Sequence, residues 1–526
     1  MKKYLYRGPM RDGAELVTWV TLPGDGTGKY DVTLIRTPYV EAPPADTPEV
    51  TDLPDDGVAQ SDIAVVVQHC RGRGGSDGDF VPFYREKEDG LDTIAWIEKQ
   101  PWAKDIYLTG GSYLCYTQLA VLADVPPSVK GAYLAVMTND WKQFGFKNGV
   151  FKPDVVAAWY TAMYHMWELV KGDPFKSYGE EWPKNPLSEY SRRVWGRDVD
   201  CFNSLFLSDD DPSLCKEYFL QAADSMKKCR IPIVMQTGWS EPFLNGTWQM
   251  WKELPEDIRE KSAFLVGPWA HSPAIPEYWP YTFENAEYDG TAEILDWIDH
   301  IRYGIPSKFL KEGYIKYYEI GKAAWAYAKD WPTGEGRSDW YLGENGLTEE
   351  KPAAGEVSYD ADPLNPASFP GGPCTLATGE IGFAKQPEPN FRDDVKSFLS
   401  APLEREIDVA GKIEAELEVS TDCDATMFLI RVSCVTEKGD AVPMQDWPVE
   451  LKETTPGEHI KVKFVTDPIV WTLHKGERIR LDVASADAHS YRVHNNIRGD
   501  WFTMRDTAVA HNTVYFGESV LSLPVK

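Results

Sequence analysis

The chain has 526 residues, of which 43% are hydrophobic and 26% are charged, the balance of an ordinary globular protein of about three domains. Asp and Glu total 82 against 54 Lys and Arg, so the formal net charge is −28. Such a surface repels polyanions, which excludes nucleic acid and anionic membranes as expected partners. No stretch of about 18 apolar residues occurs, so we expect no membrane span.

The eight cysteines are scattered, and none forms a C-x-x-C pair, so neither a zinc knuckle nor a redox motif is indicated. In a chain of this length they are typical of free, buried thiols in a reducing compartment. The N-terminus carries two lysines with no apolar run after them, so no signal peptide is expected. These features predict a cytoplasmic protein.

The first 140 residues alternate short, β-branched apolar runs with a helix-like segment. Such runs are typical of strands buried on both faces of a parallel sheet, and the alternation indicates an α/β fold. The predicted strands are 30–36, 62–68, 105–109 and 131–137, and the predicted helix is 88–100.

From 141 to 229 the β-branched runs vanish and aromatic residues become frequent, which predicts a helical insertion. Buried strands then return at 231–236 and 263–266. The α/β domain is therefore expected to comprise 1–140 and 230–335, with a cap at 141–229.

The last part of the chain has a different pattern. Strict period-2 alternation occurs at 413–419, 460–464 and 479–483, which predicts an antiparallel β sandwich or jelly roll over 336–526. The stretch 344–376, rich in Gly, Pro and Ala, is expected to be irregular.

The strongest local motif is TGGSYLC at 109–115, which follows a predicted strand and precedes a predicted helix. Small residues around a Ser at such a turn are typical of a nucleophile elbow, which presents the Ser112 hydroxyl at the top of the sheet. The backbone N–H of Tyr113 would point to the same place and help to stabilise an oxyanion. A glycine-rich turn with an incidental serine is the alternative interpretation.

Three other predicted strands end in residues that could complete this chemistry. Tyr39, Glu241 and His271 each follow a buried strand within a few residues, and ligands bind at the carboxyl ends of such strands. The order Ser, acid, His is that of α/β-hydrolases. His271 is the expected base for Ser112, Glu241 would orient it, and Tyr39 could donate a second hydrogen bond to the oxyanion.

The chain resembles the cocaine esterase / X-Pro dipeptidyl-peptidase family of serine hydrolases over nearly its whole length. The motifs that carry the resemblance are RTPY at 36–39, RGRGGSDG at 71–78, DGLDTI at 89–94, QPW at 100–102, GSY at 111–113, GW at 238–239 with FLNG at 243–246, and GPWAH at 267–271. The resemblance implies an α/β-hydrolase domain, a helical cap inserted after the elbow, and a C-terminal jelly roll.

Three positions depart from the family pattern. The triad acid is usually Asp, and here it is Glu241; the last residue of the elbow is usually Gly, and here it is Cys115. The family usually has an Asp two residues before the RGRGG loop, and here that residue is His69, which also follows a buried strand and is an alternative base. These departures leave open a weakened enzyme, a shifted specificity or a lost activity.

Other candidate residues receive a structural interpretation or a weaker functional one. Asp487, His489 and His494 match no standard metal-ligand spacing, so no metal site is predicted. Most tryptophans are expected in the core, but four could line a substrate pocket because pockets are mostly apolar. These four are Trp141, Trp159, Trp167 and Trp239.

The sequence therefore predicts a serine hydrolase that cleaves a small ester, amide or short peptide through an acyl-enzyme, without a metal or organic cofactor. An X-Pro dipeptidyl aminopeptidase and an α-amino-acid ester hydrolase are alternatives, since both would capture a free α-amine with carboxylates. A non-catalytic ligand-binding protein on a decayed hydrolase is an alternative of another class. The cap and the β domain could also support a homo-oligomer.

Overall fold

A ten-stranded mixed sheet organises the N-terminal part of the protein in a computed structural model that describes residues 1–40, 61–165, 174–203, 214–373 and 380–526. The strand order is β1-β2-β4-β3-β5-β6-β9-β10-β11-β12, and the strands from β4 to β11 along this order are parallel. The strands are β1 Lys2–Pro9, β2 Glu15–Leu22, β3 Tyr30–Thr37, β4 Ala64–His69, β5 Ala103–Gly111, β6 Val129–Ala135, β9 Ile233–Gly238, β10 Ala263–Gly267, β11 Tyr314–Glu319 and β12 Ala324–Ala328.

Helices cover both faces of this sheet, which explains why its central strands are continuous apolar runs. All six residues of β4 are buried. The helix Gly290–Tyr303 packs through Trp297 and Ile298 on the face that bears Val65. The helices on the opposite face are Glu86–Glu98, Tyr113–Leu122 and Leu244–Glu253, with the short helix Glu256–Arg259 after them.

The cap lies between β6 and β9 and is mainly helical, as the loss of β-branched runs predicts. Its buried aromatic rings pack edge to face, for example Trp195 against Phe202 with centroids 4.9 Å apart. The elements are the helices Trp141–Gly145, Pro153–His165, Pro174–Glu181, Tyr190–Trp195, Asp200–Asn203 and Leu214–Leu220, the 3₁₀ turn Leu187–Glu189, and a hairpin of β7 Phe146–Lys147 and β8 Val150–Phe151.

The C-terminal domain is a pair of antiparallel sheets that share one core, so the predicted fold class is confirmed. One sheet has the order β14-β13-β22-β17-β20, with β15 also paired to β22, and the other has the order β16-β21-β18-β19. The strands are β13 Gly336–Gly343, β14 Gly346–Thr348, β15 Glu356–Ala361, β16 Lys396–Leu399, β17 Ile407–Thr421, β18 Thr426–Val435, β19 Ala441–Leu451, β20 Ile460–Leu473, β21 Arg478–Ala484 and β22 Ala510–Val525.

The prediction that 344–376 is irregular is wrong in part, because β14 and β15 lie within this stretch. The strand β15 forms by pairing with β22, from Glu356 opposite Tyr515 to Ala361 opposite Ala510. A partner about 150 residues away in sequence leaves no local signal, because strand formation depends on cross-strand contacts. The hairpin β1–β2 and the pair β11–β12 also lie outside the sequence prediction.

The prediction that all cysteines are free is also wrong, because Cys201 is disulfide-bonded. A disulfide depends on two Cα atoms lying about 4 to 7 Å apart in the fold, and sequence spacing does not reveal that distance. Among the described residues, Cys70, Cys115, Cys229 and Cys434 are buried free thiols and Cys423 is partly exposed.

A buried ionic cluster joins the cap hairpin to the C-terminal domain. The Lys147 ammonium lies 3.2 Å from both the Asp446 and Asp467 carboxylates. Asp446 also accepts hydrogen bonds from Arg431 at 2.9 Å and from the Tyr491 hydroxyl at 2.6 Å. Burial alone would lower the pKa of Lys147, but the two carboxylates raise it, so the side chain stays charged.

We predict that Lys147→Met destabilises the protein by about 3 to 5 kcal/mol, because it leaves the buried Asp467 carboxylate without its cation and Asp446 with Arg431 alone. The matched control is Lys87→Met, which removes a partly exposed pair with Asp124 and should cost at most about 1 kcal/mol. Urea unfolding followed by fluorescence and circular dichroism measures both. Equal midpoints for the two variants would contradict the prediction.

Candidate active site

The candidate nucleophile Ser112 occupies a sharp turn between a strand and a helix. The strand β5 ends at Gly111 and the next helix begins at Tyr113. Ser112 has φ 57° and ψ −128°, a strained conformation that costs about 1 to 3 kcal/mol. Gly110 has φ +136°, and a Cβ there would lie 2.5 Å from the Leu114 Cβ, so this position requires glycine.

The structure places Ser112, His271 and Glu241 in one hydrogen-bonded line. The His271 Nε2 lies 3.1 Å from the Ser112 Oγ. The His271 Nδ1 lies 3.1 Å from one Glu241 carboxylate oxygen and 3.3 Å from the other. A carboxylate can only accept, so Nδ1 carries a proton and Nε2 is free to accept one from the serine.

The loop that carries Glu241 is held from three sides. It passes so close to the loop of His271 that a Cβ on Gly238 would lie 2.2 Å from the Trp269 carbonyl oxygen. From the C-terminal domain, the Gln445 amide donates to the Trp239 carbonyl at 3.2 Å. From the cap, the Lys152 ammonium donates to the Pro242 carbonyl at 3.0 Å. The position of the carboxylate therefore depends on all three parts of the chain.

Charge around His271 favours its protonated form. Burial lowers its pKa, but the charge and hydrogen bond of Glu241 and the charge of Asp154 raise it, and the net pKa is raised above 6.5. Burial also lowers the pKa of the nearby Lys152 to about 8. Sequence reasoning missed Lys152 and Asp154, which no strand-end pattern marks.

Tyr39 lies beside the nucleophile. Its hydroxyl is 3.3 Å from the Ser112 Oγ and accepts a hydrogen bond from the Trp159 indole at 3.2 Å. Although 37% of the residue surface is exposed, burial of the phenol raises its pKa, so the hydroxyl keeps its proton. Two neutral donors, the Tyr39 hydroxyl and the Tyr113 amide, thus flank Ser112.

A buried network fixes the side chain of Tyr113. Its hydroxyl donates to Glu86 at 2.9 Å and accepts from the Phe83 amide at 2.7 Å. Glu86 in turn pairs with Arg36 at 2.7 Å. The sequence marks Arg36 through the RTPY motif, but it gives no signal for Glu86, which a helix brings beneath the elbow.

An apolar pocket of about 270 Å³ opens next to Ser112. Trp159 lines it, whereas Trp141 and Trp239 do not belong to its lining. Trp141 is buried against Phe219, and the Trp239 indole donates to the Tyr318 carbonyl, so tertiary packing uses both rings elsewhere. Trp167 lies outside the described residues. The lining consists of Tyr39, Phe83, Ser112, Tyr113, Met137, Phe144, Val155, Trp159, Phe243 and His271.

The residues that depart from the family pattern are buried. The His69 Nδ1 donates to the Gly74 carbonyl at 3.0 Å, and burial lowers the pKa of this histidine. Ser112 is hydrogen-bonded to His271 instead. Cys115 is completely buried, and burial raises the pKa of its thiol, which makes it a packed side chain and not a ready nucleophile.

Two of the three residues considered as metal ligands have other partners. Asp487 accepts from Arg431 at 3.0 Å, and the His494 Nε2 lies 3.4 Å from Glu450. Within the described ranges, no group of three or more His, Cys, Asp or Glu side chains is arranged to hold a metal ion. In the same part of the chain, no helix is both long and apolar enough to cross a membrane.

Two family models match the chain. Residues 12–273 match the X-Pro dipeptidyl-peptidase (S15 family) and residues 308–522 match the X-Pro dipeptidyl-peptidase C-terminal non-catalytic domain. The chain belongs to the X-Pro dipeptidyl-peptidase (S15) family. This confirms the predicted family and the prediction of a serine hydrolase.

The chain is similar to several known proteins. It is 23% identical to cocaine esterase of Rhodococcus sp. (strain MB1 Bresler), over 93% of this chain and 92% of that protein. Two solved structures, each 20% identical, cover 100% of this chain and 96% of their own. They are an α-amino acid ester hydrolase, with a TM-score of 0.80, and an aminopeptidase from the marine sediment archaeon Thaumarchaeota archaeon, with a TM-score of 0.81. These two structures support the fold.

We predict that hydrolysis rises with pH through an acid limb that lies at higher pH than the ordinary pKa of a histidine, because the raised pKa of His271 keeps it protonated, and unable to accept the serine proton, on the acid side of the limb. Asp154→Asn removes one charge that raises this pKa, so its limb should move to lower pH. Asp257→Asn, an exposed carboxylate change, is the control. Profiles of kcat/KM against pH measure all three proteins, and an unshifted limb in Asp154→Asn would contradict the assignment.

Proposed function

We propose that the protein hydrolyses small carboxylic esters through an acyl-enzyme, with Ser112 as nucleophile, His271 as general base and acid, and Glu241 as the orienting carboxylate. The observation that carries this proposal is the line of hydrogen bonds at 3.1 Å from Glu241 to His271 and from His271 to Ser112. A serine hydroxyl is a weak nucleophile until an adjacent base takes its proton.

The reaction then follows from the geometry. The Ser112 oxygen attacks the substrate carbonyl while its proton passes to the His271 Nε2, and the Glu241 carboxylate stabilises the imidazolium that forms. The imidazolium returns the proton to the leaving alcohol, which departs as the acyl-enzyme forms. A water molecule, deprotonated by His271, then attacks the acyl carbon, and His271 returns that proton to the departing Ser112 oxygen as the acid is released.

The oxyanion would be held by the Tyr113 amide and the Tyr39 hydroxyl. The amide lies at the start of the helix after the elbow, and the phenol oxygen is 3.3 Å from the Ser112 Oγ. Both donors are fixed before substrate binds, so they stabilise developing charge without reorganisation.

The pocket favours an apolar, uncharged acyl group. Aromatic and aliphatic side chains dominate its lining, and among the described lining residues none carries a carboxylate. An α-ammonium group would lose its hydration there without gaining a counter-charge, which is costly. This argues against the α-amino-acid ester hydrolase and X-Pro dipeptidyl aminopeptidase alternatives, even though the solved structures named above are an α-amino acid ester hydrolase and an aminopeptidase.

The non-catalytic alternative is also disfavoured. A decayed site would not need the strained Ser112 turn, which persists only where the surrounding structure enforces it. Glu241 replaces the usual Asp, but its longer side chain still reaches the His271 Nδ1 at 3.1 Å.

Three of the expectations from the sequence stay predictions. They are the domain limits at 140, 229 and 335, a cytoplasmic location and a homo-oligomer. The four buried free thiols support a reducing compartment, whereas the disulfide at Cys201 counts against it.

We predict that Ser112→Ala abolishes both p-nitrophenyl ester hydrolysis and labelling by a fluorophosphonate probe, since loss of the nucleophile costs about 10⁶-fold in a well-studied serine protease. Cys115→Ala is the control for a nearby thiol and should keep both activities, because the buried thiol takes no part. Hydrolysis that persists in Ser112→Ala and is lost in Cys115→Ala would reverse the assignment.

We predict a preference of at least about tenfold in kcat/KM for methyl 3-phenylpropionate over phenylalanine methyl ester, because the two differ only in a charged α-amine that the described pocket does not pair. The assay is run below the pKa of the amine, with release of acid followed by titration. A preference for the amino ester would restore the α-amino-acid ester hydrolase alternative.

A further inference from the structure

The indole of Trp159 connects the cap to the proposed oxyanion hole. Trp159 lies on the cap helix Pro153–His165, and its Nε1 is 3.2 Å from the Tyr39 hydroxyl oxygen. Its ring is nearly parallel to the ring of Tyr113, with centroids 5.5 Å apart and planes inclined by 12°. One side chain thus contacts both residues that supply the oxyanion donors.

The chemistry of the groups fixes the direction of each hydrogen bond. An indole N–H can only donate, so the Tyr39 oxygen must accept from Trp159. The Glu241 carboxylate can likewise only accept, so the His271 Nδ1 donates to it and the His271 Nε2 accepts the Ser112 proton. The Tyr39 hydroxyl is therefore the donor to the Ser112 Oγ at 3.3 Å.

Ser112 is therefore both an acceptor and a donor. It accepts from the Tyr39 hydroxyl and donates to the His271 Nε2 at 3.1 Å. The hydrogen bonds therefore run in one direction, from Trp159 through Tyr39 and Ser112 to His271. Hydrogen bonds in such a chain polarise one another, and the phenol becomes a better donor.

We infer that Trp159 is a positioning residue for the oxyanion hole, in addition to being a wall of the pocket. It holds the Tyr39 phenol with its proton toward the reacting centre, so the loss of its N–H weakens transition-state stabilisation although the indole touches no reacting atom. This inference rests on the proposed function, since it assumes that Tyr39 donates to the oxyanion.

The test is a double-mutant cycle of Trp159→Phe and Tyr39→Phe. Trp159→Phe removes the N–H and keeps an aromatic ring against Tyr113, and Tyr39→Phe removes the phenol. Trp96→Phe is the matched control, because Trp96 packs against Tyr6 on a helix outside the pocket lining. Thermal melts establish that the variants fold, and p-nitrophenyl acetate serves as a small acyl substrate that leaves most of the pocket wall untouched.

We expect Trp159→Phe to lower kcat by about three- to tenfold with little change in KM, the effect of one neutral hydrogen bond. Tyr39→Phe should cost about 100- to 1000-fold. In the Tyr39→Phe background, Trp159→Phe should cost nothing further, because the phenol through which it acts is absent. Trp96→Phe should match the wild type.

Other outcomes overturn the inference in distinguishable ways. If the losses of activity in the two single variants add in the double variant, or if Trp159→Phe raises KM without lowering kcat, then Trp159 only lines the pocket. The proposed function would stand in either case. If Tyr39→Phe keeps the wild-type kcat, the phenol does not stabilise the oxyanion. That result would overturn both this part of the proposed function and the inference.

Discussion

The carboxyl edge of the parallel sheet is the constraint on which the site depends. Ser112, Glu241 and His271 follow β5, β9 and β10, and these strands end at the same edge because they run in the same direction. Only that arrangement brings residues 159 positions apart to a distance of 3.1 Å. The helices on both faces serve this end, since they keep the strands buried and in register.

The other domains contribute directly to the geometry of the site. The cap supplies Lys152 to the acid loop and Trp159 to Tyr39, and the C-terminal domain supplies Gln445 to the Trp239 carbonyl. The ionic cluster at Lys147 joins the cap hairpin to the β domain beneath these contacts. The domain described as non-catalytic in the family is therefore in contact with the loop of the proposed triad acid.

Sequence patterns predicted those features that have local causes. Apolar β-branched runs marked β3, β4, β5, β6, β9 and β10 to within about two residues, and period-2 alternation marked β17, β20 and β21. They did not mark β15, whose residues Glu356–Ala361 become a strand only against β22. Neither could they show that Cys201 forms a disulfide, because that bond requires proximity in the fold.

By itself the sequence determined the family, the turn that carries the proposed nucleophile, and the order of serine, acid and histidine after their strands, because glycine-rich turns and strand ends leave local signatures. It also singled out Tyr39 and Tyr113. The tertiary structure alone decided that Trp159 contacts the site while Trp141 and Trp239 do not, that His69 faces Gly74, and that the pocket is apolar. These outcomes depend on contacts between segments that are distant in the sequence. A local stretch of sequence does not show which distant residues it will contact.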